Sequence, residues 1–84
     1  MLPNSEQLRT FLEIAETGNL TQAAARLNRT QSAISVQLRK LETTLGVSLF
    51  ERDVRGMRLS ANGRKFHPAA RRALTELERT GRLF

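Results

Sequence analysis

The sequence predicts a mostly α fold on three observations: a winged helix-turn-helix of three helices and a two-stranded β-hairpin, followed by a long pairing helix. Residues 20–41, LTQAAARLNRTQSAISVQLRKL, read as two short amphipathic helices joined by a tight turn. Residues 48–59, SLFERDVRGMRL, read as two short strands around a turn from Asp53 to Gly56. Residues 61–84 carry apolar positions at alternating steps of four and three.

The first helix is predicted over residues 5–17, where Leu8, Phe11, Leu12 and Ala15 recur at i, i+3, i+4 and i+7. Asn4 with Gln7 forms a capping box at its start, and Gly18 stops it. The second helix begins between Asn19 and Thr21 and turns Ala23, Ala24 and Leu27 inward, the alanines permitting close approach of another helix. Asn28 then falls where the turn needs a left-handed backbone, which Asn tolerates better than any residue but Gly. Thr30 supplies a side-chain oxygen to the free N–H groups of the third helix, residues 31–45, which Gly46 ends.

At about 100° per residue, Ile34, Leu38, Leu41 and Leu45 make the buried stripe of that third helix. Ser32, Val36, Arg39 and Thr43 occupy the opposite face, flanked by Ser35 and Lys40. Gln31 lies nearer the core side, but in the first turn, where a long side chain reaches outward. Ser60 caps a final helix in which Phe66, Ala70, Ala73, Leu77, Thr80 and Phe84 form a seam, with Leu74 beside it. That seam is too poor in large apolar residues for a lone core element, so it predicts pairing with a second chain. Pro68 predicts a kink, or a helix that starts again at that point.

Eighty-four residues make one small domain, which buries only about 60% of its unfolded surface. With no cysteine, neither a disulfide framework nor a thiolate metal site is available. No apolar run reaches the ~20 residues of a membrane span and no secretion signal opens the chain, so a cytoplasmic protein is expected. The net charge of +6 is unevenly spread. Residues 1–28 are slightly acidic, while Arg29, Arg39 and Lys40 stand without an acid up to Glu42, and nine of the basic residues follow Glu51. Twelve of the fourteen basic residues are Arg, whose planar fork suits phosphates and guanine edges. This is the footprint of a polyanion binder.

The candidate contacts to double-stranded DNA are therefore Thr30, Gln31, Ser32, Ser35, Val36 and Arg39 at the third helix and Arg52, Arg55 and Arg58 on the hairpin. Gln31 suits adenine, Arg39 guanine or phosphate, and Val36 a thymine methyl group. Arg55 sits at the hairpin tip, where a guanidinium reaches a neighbouring minor groove or a phosphate. Arg52 has the alternative of pairing with Glu51, Asp53 or a helix carboxylate, and Arg58 is expected to meet phosphate. His67 is the only histidine, and neither a phosphate loop nor a metal-spaced cluster occurs, so catalysis, cofactors and metals are not expected. Two rival uses remain: a winged-helix module that docks a protein, and a basic amphipathic helix over residues 61–84 lying on an anionic membrane. The second is disfavoured by an alanine-rich apolar face without tryptophan.

The segment LRTFLEIAETGNLTQAAARLNRTQSAISVQLRKLETTLGVSLFERDVRGMRLSANG resembles the DNA-binding region of the LysR-type bacterial transcriptional regulators. The AA of the second helix, QSAIS, the LE at 41–42, the LG at 45–46 and LFER at 49–52 carry the resemblance by their order and spacing. It implies a DNA-binding domain over residues 1–60, a linker helix over 61–84 through which two chains pair antiparallel, Gln31, Ser32 and Ser35 in the major groove, and Arg55 in the minor groove. Ser32 stands where many members have Pro, and Val36 where many have Arg, which shifts the expected base preference toward thymine. Members carry a longer C-terminal effector-binding domain. The expectation is therefore an excised fragment of a tetrameric parent, with a small-molecule effector acting only through the missing domain.

Overall fold

Local capping chemistry sets most of the helix boundaries. A computed structural model describes residues 1–84 as α1 (Ser5–Thr17), α2 (Leu20–Leu27), α3 (Gln31–Leu45), β1 (Phe50–Asp53), β2 (Gly56–Leu59) and α4 (Ala61–Thr80). At the start of α1, the Gln7 N–H donates to Asn4 Oδ1 at 2.9 Å and the Asn4 N–H donates to Gln7 Oε1 at 3.1 Å. Gly18 and Gly46 close α1 and α3 with φ of 68° and 72°, in the left-handed region where glycine is least strained. Asn19 caps α2, accepting from the Gln22 N–H at 2.9 Å.

The core is assembled from one face of each helix. Phe11, Ile14, Ile34, Leu41 and Leu49 are its largest fully buried side chains. Phe11 is the joint of the fold: its ring centroid lies 5.4 Å from that of Phe50, 5.0 Å from that of Phe66 and 5.9 Å from the His67 ring. One side chain of α1 therefore touches the first hairpin strand and the last helix together.

The two strands pair antiparallel, with Phe50 opposite Leu59 and Asp53 opposite Gly56. This hairpin is bolted down at three points. The Met57 N–H donates to the Gly18 carbonyl at 3.0 Å, and a Cβ at Gly56 would overlap that same carbonyl oxygen. The Glu42 carboxylate accepts from the Leu49 N–H at 2.8 Å, tying the end of α3 to the approach of the hairpin. Ser60 donates from Oγ to the Ser48 carbonyl at 2.7 Å and accepts from the Gly63 N–H at 3.0 Å, so one hydroxyl joins the hairpin approach to the first turn of α4. Gly63 is needed there because a Cβ would collide with the Leu49 carbonyl.

The last helix departs from the sequence reading in three ways. Of the two alternatives at Pro68 the restart is excluded, since the helix is continuous from Ala61 through that residue. Pro68 and Arg64 are exposed, so solvent can satisfy the Arg64 carbonyl whose helical donor is missing. The helix ends at Thr80, which leaves Phe84 outside it and removes that residue from any helical seam. Finally, Ala70 and Leu74, expected to face a second chain, are 1% and 8% exposed and lie within the chain's own core. On a helical wheel Gly63, Ala70, Leu74 and His67 fall on the edge of the apolar stripe that meets the rest of the chain. Ala69, Ala73 and Thr80 fall on the other edge. That second edge is open, and with Leu77 and Phe66 it forms one wall of an apolar groove whose other wall is Leu2, Pro3 and Leu8.

Candidate nucleic-acid interface

Asn28, the residue on which the helix-turn-helix pivots, has φ 56° and ψ 44°, the only positive φ outside glycine. The Asn28 and Arg29 N–H groups bond back to Ala25 and Ala24, so the turn consumes the end of α2 without a wasted residue. Thr30 Oγ1 then accepts from the Ala33 N–H at 3.1 Å. A threonine cap of this kind is worth about 1 kcal/mol and fixes where the first turn of α3 begins.

The exposed face of α3 carries Ser32, Val36, Arg39 and Thr43, with Ser35 half-buried at its flank. Val36 is 39% exposed. Gln31 is exposed, and its Oε1 accepts from the Thr21 hydroxyl on α2 at 3.2 Å. Sequence reasoning did not anticipate this contact, because no periodicity links residues on different helices.

The hairpin gives its three arginines different surroundings. Arg58, expected at phosphate, pairs with Asp53 at 3.2 Å and Glu51 at 3.9 Å. Arg52, for which those two carboxylates were the alternative partners, meets neither. Successive strand side chains point to opposite faces, so Glu51, Asp53 and Arg58 share one face while Arg52 shares the other with Met57, whose sulfur lies 4.0 Å from its guanidinium. At the tip, Asp53 Oδ1 accepts from the Arg55 N–H at 2.8 Å, which shapes the turn and leaves the Arg55 side chain exposed.

Two elements expected to act together meet in space. Gln31 and Thr21 line one open cleft with Arg52, Arg55 and Met57, so the start of α3 and the hairpin tip face the same region. Arg39, Lys40, Arg52 and Arg55 have no ion pair, and neither do Arg64, Lys65, Arg71, Arg72 and Arg82 at the C-terminal end of the chain, whereas Arg9, Arg26 and Arg29 are paired with Glu78, with Glu13 and Glu16, and with Glu6. Arg29, grouped by sequence with the positive charge of α3, is thus committed to α1. Positive charge is left uncompensated where α3 and the hairpin face solvent, the arrangement that attracts a polyanion. No three of the histidine, aspartate and glutamate side chains gather closely enough to hold a metal ion.

The family model of the bacterial regulatory helix-turn-helix proteins, lysR family, matches residues 5–64. The chain belongs to the LysR family. Among LysR-type relatives, the HTH-type transcriptional regulator ClcR of Pseudomonas putida is 49% identical over 75 residues, covering 87% of this chain and 26% of ClcR. GalR of Pseudomonas putida KT2440, also an HTH-type transcriptional regulator, is 42% identical over 77 residues, covering 92% of this chain and 19% of GalR. The chain therefore spans about a quarter or less of the length of these relatives. Among solved structures, the CbnR DBD–DNA complex superposes with a TM-score of 0.88 at 44% identity, covering 93% of this chain and 90% of that one. Oxidized OxyR of Corynebacterium glutamicum superposes with a TM-score of 0.90 at 39% identity, covering 95% of this chain and 26% of that one. The winged helix-turn-helix architecture expected from the sequence is thus the one the LysR family shares. No helix of the chain is long and apolar enough to cross a membrane.

Proposed function

We propose that this chain is the DNA-reading unit of a LysR-type transcriptional regulator: residues 1–60 read the duplex and residues 61–84 join two copies. The observation that carries this is the cleft shared by Gln31 with Arg52 and Arg55, two cations without an ion pair, while Arg9, Arg26 and Arg29 are paired with carboxylates of α1 and α4. Similarity to a domain solved on DNA supports the same reading. In it, α3 enters the major groove with Gln31, Ser32 and Val36 toward base edges, Thr30 and Ser35 toward base or backbone, and Arg39 toward guanine or phosphate. Arg55 enters the adjacent minor groove, Arg52 supports it from the inner face of the hairpin, and Arg58 holds the hairpin's shape. Two such units bind an inverted repeat whose half-sites lie about one helical turn, ~34 Å, apart. The chain acts by binding and not by catalysis.

Selection of random duplexes by this chain at two salt concentrations, followed by sequencing, tests the reading. The expected result is a palindrome whose binding weakens steeply with salt. Salt-sensitive retention without any sequence preference would favour the protein-docking module instead.

The pairing surface follows from the open edge of α4: Phe66, Ala73, Leu77 and Thr80, with Leu2 and Pro3. Ala70 and Leu74 support it from beneath. Leu77 is 49% exposed in the single chain, so Leu77→Glu leaves the core intact while placing a charge in the proposed interface. Sedimentation should show dimers lost for this variant, with an unchanged helical signal. A dimer that persists at wild-type concentrations would place the pairing surface elsewhere.

A further inference from the structure

We propose that Thr21 is a positioning residue for base recognition: its hydroxyl holds the Gln31 amide in the orientation that reads a base edge. The inference rests on the DNA-reading role proposed for Gln31. Its basis is the 3.2 Å hydrogen bond from Thr21 Oγ1 to Gln31 Oε1. The bond crosses the helix-turn-helix, from the second residue of α2 to the first residue of α3.

Gln31 stands at the start of its helix, exposed and with no other side-chain partner. A glutamine so placed samples many rotamers, and freezing it on a base edge carries an entropic cost. The Thr21 hydroxyl removes part of that freedom before DNA arrives. In the structure the amide stands with Oε1 toward the hydroxyl. A hydroxyl donating to Oε1 leaves one lone pair on that oxygen and both hydrogens on Nε2. The remaining set, one acceptor beside a donor, is what the adenine edge requires through its N6 amine and N7. Guanine, with two acceptors at that edge, would oppose Oε1. The hydroxyl therefore adds discrimination without itself reaching a base.

Asn19 fixes the backbone of this corner independently, by capping α2. Thr21 is exposed and outside the core, so Thr21→Val removes the donor while keeping shape and fold. The test is a double-mutant cycle of Thr21→Val and Gln31→Ala on the selected duplex and on duplexes with each half-site base pair changed in turn. Helical content of every variant is checked by circular dichroism.

Thr21→Val should weaken binding to the selected duplex about fivefold, from the rotamer freedom restored to Gln31. The loss should concentrate at the base pair where Gln31→Ala also loses discrimination. It should vanish on the Gln31→Ala background, the mark of two groups acting as one. Thr21→Ser, which keeps the hydroxyl, should bind like the parent, and the salt slope should not change. A loss equal on every duplex, with the salt slope reduced by about one, would mean that Thr21 holds a phosphate directly and would overturn the proposal. Additive effects of the two substitutions, or no effect of Thr21→Val, would overturn it too. If Gln31→Ala leaves base preference unchanged, the positioning role falls with the Gln31 assignment, while a selected palindrome would leave the operator-reading function standing.

Discussion

Replacing Phe11 with alanine is expected to cost about 3–5 kcal/mol of stability, the range for removing a buried aromatic ring. A chain of 84 residues has roughly 4–12 kcal/mol to lose. Phe11 is fully buried and its ring meets Phe50, Phe66 and His67, so the cavity would open where α1, the hairpin and α4 converge. These three elements cannot close on it together, because the hairpin is also fixed to Gly18 and Glu42, and the start of α4 to Ser48. At about 4–8 °C per kcal/mol for a domain of this size, the thermal midpoint should fall by roughly 12–40 °C. Thermal melts followed by circular dichroism measure it, with Val54→Ala as a control, since Val54 is fully exposed and should shift stability by less than about 0.5 kcal/mol. A Phe11→Ala midpoint close to the parent's would show that the aromatic cluster is not what joins the hairpin to the helices.

Much of this fold is legible in the sequence because its boundaries are written in short-range chemistry. Asn4 and Gln7, Asn19, Thr30 and Ser60 each cap a helix through groups three residues away, and Gly18, Asn28 and Gly46 adopt left-handed backbone where a helix must stop. None of this depends on the rest of the chain. What stays hidden is the choice of partner across elements. Arg29 looks like part of the basic surface of α3 until Glu6 of α1 is seen beside it. The heptad pattern of residues 66–80 is real, but a pattern does not say which edge of the stripe the chain keeps for itself, and Ala70 and Leu74 lie on that edge.

The hairpin arginines are an intermediate case. Once a two-residue tip of Val54 and Arg55 is assumed, the register places Arg58 opposite Glu51 and diagonal to Asp53, and strand alternation turns Arg52 to the other face. The signal for the ion pairs of Arg58 was therefore present in the sequence, in the turn and not in the charges. By contrast, the bond between Thr21 and Gln31 depends on the angle between two helices, which no local pattern encodes.

Arg55→Ala should weaken operator binding by about 1–3 kcal/mol, roughly five- to 150-fold, with the loss concentrated at the base pairs flanking each half-site. The size follows from how the side chain is presented. Asp53 spends its carboxylate on the Arg55 backbone N–H and on Arg58, so the Arg55 guanidinium keeps its full charge at an exposed tip. The Met57–Gly18 bond fixes the hairpin against the body of the fold, so little flexibility has to be lost when the tip enters a groove. A guanidinium favours a narrow minor groove, where the negative potential is deepest, so sequences that narrow the flank should lose most from the substitution. Titrations at several salt concentrations, on duplexes with altered flanks, separate this from simple phosphate contact, which would lower affinity uniformly and reduce the salt slope by about one. Arg71→Ala is the comparison: Arg71 is equally exposed and unpaired, but it lies on α4 by a cleft it shares with Glu13 and Glu16 of α1, not on the face of Gln31 and Arg55. If Arg71→Ala and Arg55→Ala weaken binding equally, the hairpin contributes only general positive charge; if Arg55→Ala alone leaves affinity unchanged, the hairpin has no part in recognition.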